Sequence, residues 1–315
     1  MAISLDSKVA VVTGSGRGIG RAYARALAAH GAAVVVNDLD AEVAQSVVDE
    51  ITRDGGRAVA EVVGVGPTEA ADRLVGRAVE AFGRLDIMCT NAGILRDKML
   101  WRLEDSDFDL VVETHLRGTF TCARAAVRQF RAQNDASGEG GLKGGRVIAV
   151  SSVAGQYGNF GQTAYAAAKA GIAAMVRTWA LELSRFEITA NAIVPNALTR
   201  MVATIPGMAE VVDAAERGEP VPPAFRMGMG MGTAEDVAPI LVFLASDAAK
   251  HVTGQAVGLG GDKLSLFAHP YEKSIAYRDG GWTPDGIAEL FASSVGQDLE
   301  AYGIPGLGRV KPGAQ

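Results

Sequence analysis

The chain has 315 residues, of which 48% are hydrophobic and only 6% aromatic, so small aliphatic side chains must fill most of the core. This length favours one large α/β domain over two separate domains. A net charge of −6 and a pI near 5.4 argue against nucleic acid or an anionic membrane as a partner.

Cysteine content and hydropathy limit the compartments in which the protein could work. The two cysteines, Cys89 and Cys122, are too few for a disulfide framework and indicate a reducing compartment. Cys89 lies in an apolar run and is predicted to be a buried, unreactive thiol. The segment MAISLDSKVAVVTG lacks the pattern of a signal peptide, and no apolar run is long enough for a transmembrane helix. We therefore expect a soluble, cytoplasmic protein.

Short β-branched segments alternate with longer segments of helical periodicity. The predicted strands cover residues 8–13, 33–37, 58–63, 86–90, 146–151, 188–194 and 256–261. The longest predicted helix runs from about residue 106 to 133, and a later helix begins at Thr233 and Asp236, which resemble a capping box. Alternation of this kind predicts an α/β fold, a doubly wound parallel sheet with helices on both faces.

Two segments interrupt the alternation. Residues 137–145 are rich in glycine and are predicted to form a surface loop without assigned chemistry. Residues 197–232 contain prolines and have only a weak helical pattern. They also contain five methionines, Met201, Met208, Met227, Met229 and Met231. A long irregular segment in a compact domain is usually functional or disordered.

A glycine-rich turn follows the first predicted strand and leads directly into a helix. It consists of Thr13, Gly14, Ser15, Gly16, Arg17, Gly18, Ile19 and Gly20. Glycines at this spacing allow a tight turn and let the backbone approach a pyrophosphate at the helix N-terminus. The turn therefore predicts a nucleotide site, with a plain strand–helix turn as the alternative.

Asp38 follows the second predicted strand, eighteen residues after Gly20 (38 − 20). An acidic side chain at this point can accept hydrogen bonds from the ribose hydroxyls of adenosine and would repel a 2′-phosphate. The alternative is a solvated aspartate or a helix N-cap. Its position favours the ribose role, and hence NAD as the cofactor. Arg17 is expected to be solvated or to lie near the diphosphate.

Three polar residues follow the fifth predicted strand: Ser152, then Tyr165 thirteen residues later (165 − 152), then Lys169 one helical turn beyond. Ligands bind at the carboxyl ends of the strands in an open α/β sheet. Together with the glycine-rich turn and Asn91-Ala92-Gly93, this set resembles the short-chain dehydrogenase/reductase family over residues 5–262. The resemblance implies a Rossmann-type fold and an enzyme that interconverts a secondary alcohol and a ketone with NAD.

The resemblance also implies a role for each residue. Tyr165 would transfer the proton, Lys169 would favour its phenolate and bind the nicotinamide ribose, and Ser152 would hydrogen-bond the substrate oxygen. The structural alternatives are a core phenol, a surface lysine and a strand-end cap. The implied cofactor site comprises Gly14, Ser15, Arg17, Gly18, Ile19, Gly20, Asp38, Asn91, Ala92, Gly93, Tyr165, Lys169, Pro195, Asn196 and Leu198.

Departures from the family pattern point to a subgroup. His115 stands where the family has an asparagine that helps to hold a water in a proton relay, and it is predicted either to join the relay or to be structural. The runs HLRGTF (115–120) and PNALTRM (195–201) resemble the dehydrogenase part of the peroxisomal multifunctional enzymes. This subgroup implies oxidation of (3R)-3-hydroxyacyl-CoA thioesters or of 17β-hydroxysteroids.

The family places a substrate lid at about residues 197–232, whose methionines either cover an acyl or sterol tail or only pack the segment. The predicted substrate-binding residues are Ser152, Tyr157, Gln162 and Met201. Residues 1–262 are predicted to form the dehydrogenase domain. Residues 263–315 form an extension that packs on this domain or on a neighbouring subunit, because it contains Phe267, Tyr271, Trp282 and Phe291.

Other expectations concern partners and rival functions. We expect a homodimer or homotetramer and no metal site. One rival function is a 3-oxoacyl-carrier-protein reductase that uses NADPH, and Asp38 argues against it. Another is a non-catalytic nucleotide-binding scaffold, against which the presence of both Tyr165 and Lys169 argues.

Overall fold

The computed structural model describes residues 3–136, 144–203, 207–305 and 310. Within these residues, eight strands form one sheet: β1 Val9–Val12, β2 Ala33–Asp38, β3 Arg57–Val62, β4 Ile87–Thr90, β5 Gly145–Val150, β6 Ile188–Pro195, β7 Ala256–Gly260 and β8 Lys263–Phe267. Their order across the sheet is β3-β2-β1-β4-β5-β6-β7-β8. Strands β1 to β7 are parallel, and β8 pairs antiparallel with β7.

Helices cover both faces of this sheet. They are α1 Gly18–Ala29, α2 Ala41–Arg53, α3 Thr68–Phe82, α4 Asp105–Val112, α5 Gly118–Ala136, α6 Val153–Tyr157, α7 Thr163–Leu183, α8 Arg200–Ala203, α9 Ala209–Glu216, α10 Ala234–Ala245 and α11 Pro284–Phe291. Alternate residues of each strand point to opposite faces. Ala10 and Val12 therefore pack with α1, α2 and α10, whereas Val9 and Val11 pack with α3 and α5. The predicted doubly wound sheet is confirmed.

The long helix predicted for residues 106–133 contains an irregular turn. Helices α4 and α5 are joined without a break by a π-helical turn, Glu113–Arg117, which carries His115. A π-turn inserts a residue into the helical repeat and is frequent at functional sites. Here it turns the His115 ring inward, where the side chain is buried.

Strand β8 extends the sheet beyond the predicted last strand. Gly260 and Lys263 pair across a two-residue turn, in which Gly261 has a φ of +53°. A Gly-Asp turn of this kind favours a hairpin, and it is the signal that could have predicted β8. The strand was missed because its two leucines, Leu264 and Leu266, are exposed, contrary to the usual pattern of burial.

The segment predicted as a lid has its own small core. Helices α8 and α9 and a π-helical turn, Ala224–Met229, enclose Leu198, Met208, Val212, Val221 and Met231, which are all buried. A parallel bridge between Ala197 and Gly232 joins the two ends of the segment. Most of the predicted glycine-rich surface loop, residues 137–143, lies outside the described residues. Among the helices described, none is long and apolar enough to cross a membrane.

Candidate active site

A cavity of about 750 Å³ lies at the carboxyl ends of β1, β4, β5 and β6. Its lining brings together fifteen of the predicted site residues: Arg17, Gly18, Ile19, Gly20, Asn91, Gly93, His115, Ser152, Gln162, Tyr165, Lys169, Pro195, Asn196, Leu198 and Met201. The other five do not line it: Gly14, Ser15, Asp38, Ala92 and Tyr157. A second cavity, of about 660 Å³, lies between α1 and α10 and contains none of the predicted site residues.

The glycine-rich turn is shaped for close backbone approach. Gly14 and Gly18 have φ values of +60° and +52°, which favour glycine over other residues. A Cβ atom at Gly14 would lie 2.7 Å from the Cα of Ala92, so this glycine serves packing within the fold. A Cβ atom at Gly18 would meet no described atom within 4 Å. Gly18 therefore faces open space at the N-terminus of α1, which suits an anionic pyrophosphate.

Polar side chains at the strand ends fix the shape of this turn. The Asn91 amide donates to the carbonyl oxygens of Thr13 and Gly14, each at 3.0 Å. The Thr13 hydroxyl accepts from the backbone N–H groups of Asn91 and Ala92, also at 3.0 Å. Asn37 accepts from the N–H of Gly14 at 3.3 Å. Sequence reasoning did not assign Thr13 and Asn37, although both are polar residues at the ends of apolar strands.

Ser15 uses its hydroxyl within the fold. The side chain is buried, donates to the carbonyl oxygen of Val12 at 2.7 Å and accepts from the N–H of Asn37 at 3.0 Å. Its backbone N–H also donates, to the carbonyl oxygen of Asn37 at 2.7 Å, so its contact with the cofactor stays a prediction. The hydroxyl instead ties the glycine-rich turn to β1 and β2.

Asp38 lies beside the turn, at the end of β2. Its carboxylate accepts from the N–H of Gly16 at 3.1 Å and from the N–H of Asp40 at 3.3 Å. Arg17 forms an ion pair of 2.9 Å with Asp40, the N-cap residue of α2. The ion pair holds the Arg17 guanidinium at Asp40. Asp38 is therefore the carboxylate that lies next to the glycine-rich turn.

Lys169 is buried beside Tyr165. Its Nζ donates to the carbonyl oxygen of Val150 at 2.6 Å and lies 5.6 Å from the centre of the Tyr165 ring. Burial lowers the pKa of Lys169 to about 7, because the charged ammonium has lost its water. The alternative of a surface lysine is therefore wrong.

The environment of Tyr165 differs from the expectation. Burial raises the pKa of Tyr165, a hydrogen bond with Ser152 lowers it, and the charge of Asp97 raises it further. The net direction is upward, although the family role assigned to Lys169 implies a lowered pKa. The physical reason is that the partly buried Tyr165 phenol has lost some of its water, and that a lysine with a pKa of about 7 is only partly charged at neutral pH.

His115 stacks edge-on against Tyr165, with ring centres 5.1 Å apart and planes at 88°. Its Nε2 lies 2.8 Å from the carbonyl oxygen of Ile94 and 3.0 Å from the N–H of the same residue. Its Nδ1 is buried and has no hydrogen-bond partner among the described residues. Burial, with the charge of Lys169, lowers the pKa of His115 to about 3. The imidazole is therefore neutral at physiological pH, and its proposed part in a relay stays a prediction.

Gln162 is held by two neighbours at the cavity wall. Its Nε2 donates to Asp97 at 2.8 Å, and its Oε1 accepts from Asn159 at 3.0 Å. All three residues line the cavity. Burial raises the pKa of Asp97, which sequence reasoning did not assign to the site.

The lid methionines have different positions. Met201 and Met231 line the cavity, and Met208 is buried in the core of the lid. Met227 is 72% exposed. Asn196, at the base of the lid, donates from its amide to the carbonyl oxygen of Met229 at 2.9 Å.

Tyr157 does not line the cavity, and its contact with substrate stays a prediction. Its ring packs on Phe267, with centres 5.9 Å apart. The backbone turns sharply at the next residue, Gly158, where φ is +75°. Elsewhere in the described residues, Cys89 and Cys122 are free and buried, and no group of three or more His, Cys, Asp or Glu side chains could hold a metal ion.

Comparisons with known proteins identify the family of this chain. A family model described as enoyl-(acyl carrier protein) reductase matches residues 14–261. Hydroxyacyl-CoA dehydrogenase ChsB1 of Mycobacterium tuberculosis is 40% identical over 303 residues, covering 94% of this chain and 91% of that protein. Peroxisomal multifunctional enzyme type 2 of Mus musculus is 43% identical over 212 residues, covering 64% of this chain. The match spans only 27% of the mouse enzyme.

A solved structure agrees with these sequence matches. A short chain dehydrogenase from Mycobacterium avium has a TM-score of 0.79 and 36% identity, covering 94% of this chain and 97% of that one. The mostly parallel sheet with helices on both faces fits the same family. The chain belongs to the short-chain dehydrogenase/reductase family of oxidoreductases, which bind a nicotinamide cofactor and act on hydroxyl groups.

Proposed function

We propose that this protein uses NAD to interconvert a secondary alcohol and a ketone, and that its substrate is a (3R)-3-hydroxyacyl-CoA thioester. The observation that carries the proposal is the position of Ser152, Tyr165 and Lys169 on one cavity, next to the glycine-rich turn. These residues supply a hydrogen-bond donor, a proton-transfer group and a nearby cation, which are the groups that this reaction needs.

The substrate class rests on the relatives and on the cavity. ChsB1 is named a hydroxyacyl-CoA dehydrogenase, and its match covers nearly the whole of this chain. The cavity also has aliphatic walls at Leu95, Met201, Val202 and Met231, which suit the apolar part of an acyl or sterol group. A hydroxysteroid is the second substrate that these walls support.

The residues fit a nicotinamide cofactor. The open space at Gly18 suits the pyrophosphate, and Asn91, Lys169 and Pro195 lie on the same cavity, where the nicotinamide end would be held. When bound, the nicotinamide would supply the hydride chemistry. The protein itself would handle the substrate oxygen and its proton.

In the proposed mechanism Tyr165 moves the proton. Its phenol oxygen would accept the proton of the substrate hydroxyl during oxidation and return it during reduction. Ser152 would hold the substrate oxygen by a hydrogen bond. The hydrogen bond from Ser152 offsets part of the rise that burial causes in the pKa of Tyr165, and charge on Lys169 would stabilise the phenolate as it forms.

Asp38 supports NAD rather than NADP. Its carboxylate is bonded to the N–H of Gly16, beside the turn that would hold the pyrophosphate. A 2′-phosphate on the ribose would meet this negative charge at close range. Arg17 is paired with Asp40 at 2.9 Å, so part of its charge is already neutralised.

The rival functions make different predictions. A 3-oxoacyl-carrier-protein reductase would require NADPH, and the description of the matching family model, an enoyl-(acyl carrier protein) reductase, keeps that alternative open. A non-catalytic scaffold would bind NAD without turnover. We would measure turnover of 3-hydroxyacyl-CoAs and 17β-hydroxysteroids with NAD and NADP in parallel. Thioester oxidation with NAD supports the proposal, whereas binding of NAD without turnover of either class supports the scaffold.

We also propose a cytoplasmic homo-oligomer. The exposed apolar residues of β8 and the segment after it, Leu264, Leu266, Tyr271 and Tyr277, support a subunit contact in this region. Light scattering with size-exclusion chromatography would measure the mass. A dimer or tetramer supports the proposal, and a monomer at micromolar concentration would overturn it.

A further inference from the structure

The C-terminal extension returns to the active site after leaving the sheet. The backbone N–H of Gly303 donates to the carbonyl oxygen of Tyr157 at 2.8 Å. Tyr302 and Val310 exchange backbone hydrogen bonds of 3.1 and 2.8 Å, which form an antiparallel bridge just beyond this contact. Ile304, the residue after Gly303, lines the same cavity as Ser152 and Tyr165.

Tyr157 anchors the extension at two places. Its ring packs on Phe267, in the first strand of the extension, and its carbonyl oxygen binds Gly303, near the end of the described chain. Phe267 and Gly303, which lie far apart in sequence, therefore both contact Tyr157. This arrangement accounts for the position of Tyr157 outside the cavity lining.

Helix α6 connects this anchor to the catalytic residues. Ser152 is the N-cap of α6 and accepts from the N–H of Ala154 at 3.2 Å, and Tyr157 is the last residue of the same five-residue helix. A helix of this length spans only about 8 Å, at roughly 1.5 Å per residue. The extension is thus held close to the substrate side of the cavity, near Ser152, rather than near the glycine-rich turn.

We propose that Ile304 is a specificity-determining residue, through which the C-terminal extension forms part of the substrate site. Its side chain is aliphatic and half-buried, so the group that it recognises is an apolar part of the substrate near the reacting carbon. The class of ligand is an alkyl chain or a fused aliphatic ring system. This inference rests on the proposed function, because it assigns the wall that contacts the apolar part of that substrate.

The test compares full-length variants on a series of 3-hydroxyacyl-CoAs from four to sixteen carbons. Ile304→Ala removes three carbon atoms from the wall, and burial of each methylene contributes about a four-fold factor. Because Ile304 is half-buried, we expect kcat/KM for the long thioesters to fall roughly 5- to 30-fold, mainly through KM. The four-carbon thioester should change less than the long ones, and the affinity for NAD should not change.

Two further variants complete the test. The first is a matched control, and the second disrupts the contact that holds Ile304 in place. Leu299→Ala makes a similar truncation at a residue that is 51% exposed and does not line the cavity, and it should behave as the wild type. Gly303→Pro removes the N–H that binds Tyr157, and proline cannot adopt the φ of +89° found there. It should lower kcat/KM for the long thioesters, as Ile304→Ala does, with little change in the thermal unfolding temperature.

The outcomes separate this inference from the proposed function. Wild-type oxidation of thioesters with unchanged length dependence in Ile304→Ala would overturn the inference and leave the proposed function standing. Absence of thioester turnover in the wild type would overturn the proposed function. In that case the same variants are compared on secondary alcohols of increasing apolar size, and equal size dependence in the wild type and Ile304→Ala would overturn the inference as well.

Discussion

The groups around Tyr165 shift its pKa in opposite directions. Burial and the charge of Asp97 raise its pKa, whereas the hydrogen bond with Ser152 lowers it. The buried Lys169 amine, 5.6 Å from the ring, is the nearby cation that would favour the phenolate during the reaction. At the residue scale, the account therefore depends on Tyr165 as the group that moves the proton.

The first prediction concerns Tyr165→Phe. The variant should bind NAD as the wild type does, because the ring remains, but kcat should fall by roughly 10²-fold or more, the scale of general acid–base catalysis. Steady-state kinetics and a cofactor titration measure the two effects. Tyr271→Phe, the same change at a residue that is 77% exposed, is the control. Near-normal kcat in Tyr165→Phe would remove this tyrosine from the mechanism.

The second prediction concerns the charge of Lys169. The pKa of Lys169 is about 7 in the folded protein and near 10.5 in the unfolded chain. Burial of the charged ammonium therefore lowers the free energy of unfolding by its full amount below pH 7, and this destabilisation is lost as the pH rises towards 10.5. Lys169→Met should therefore gain stability over the wild type at pH 6, and the gain should shrink by roughly 3 kcal/mol at pH 9.

Chemical denaturation at the two pH values measures this difference. Lys250→Met, which removes a lysine charge from an exposed position, is the matched control. A stability difference between Lys169→Met and the wild type that stays constant from pH 6 to pH 9 would contradict the lowered pKa.

The third prediction concerns Asp38 and the choice of cofactor. Charge-assisted hydrogen bonds to the ribose contribute roughly 1.5–3 kcal/mol, so NAD should be preferred by about one to two orders of magnitude. Asp38→Ser should narrow the ratio of kcat/KM for NAD to that for NADP. Asp49→Ser removes a carboxylate from the exposed face of α2 and should leave this ratio unchanged. An unchanged ratio in Asp38→Ser would show that the preference has another source.

Residues in a local motif could be predicted from the sequence, whereas residues defined by contacts could not. The spacing of Ser152, Tyr165 and Lys169 predicted that they share one site, and all three line one cavity. Asp97 was missed because its contact with Gln162 joins two loops that lie 65 residues apart in sequence. The direction of the pKa shift of Tyr165 could not be predicted from the sequence either, because the burial of the tyrosine ring depends on how His115 packs against it.

At the scale of elements, strands and helices were predictable where the hydrophobic period was clear. The capping box of α10 was correct, with Thr233 and Asp236 bonded as the pattern indicates. The π-helical turn Glu113–Arg117 could not be predicted, because one inserted residue barely disturbs the period. Strand β8 was missed because its exposed leucines obscure which face is buried.

The lid leads to the fourth prediction. If its apolar side chains hold the acyl tail, kcat/KM should rise at least about 10-fold from a four-carbon to a long thioester, because remote binding energy positions the reacting carbon. Met201→Ala, on the cavity, should reduce this gain. Met227→Ala, at a residue that is 72% exposed, should not. Equal kcat/KM for short and long thioesters in the wild type would show that the lid does not bind the tail.

At the scale of the whole molecule, the parallel sheet brings distant segments to one edge. The turn after β1, the ends of β4, β5 and β6, the lid and Ile304 from the extension all line one cavity. The sequence predicted an extension that packs on a protein surface, but not which surface, since its apolar residues lack a period. The antiparallel hairpin and Tyr157 determine where it returns.

The most direct test of the account is a comparison of initial rates for wild-type protein with (3R)- and (3S)-3-hydroxyacyl-CoA of the same length. Each thioester is oxidised with NAD and, in parallel, with NADP. The account predicts that kcat/KM is highest for the (3R) substrate with NAD, by at least about 10-fold over NADP, because Asp38 disfavours the 2′-phosphate. A preference for NADP, or failure to oxidise the (3R) thioester with NAD, would contradict it.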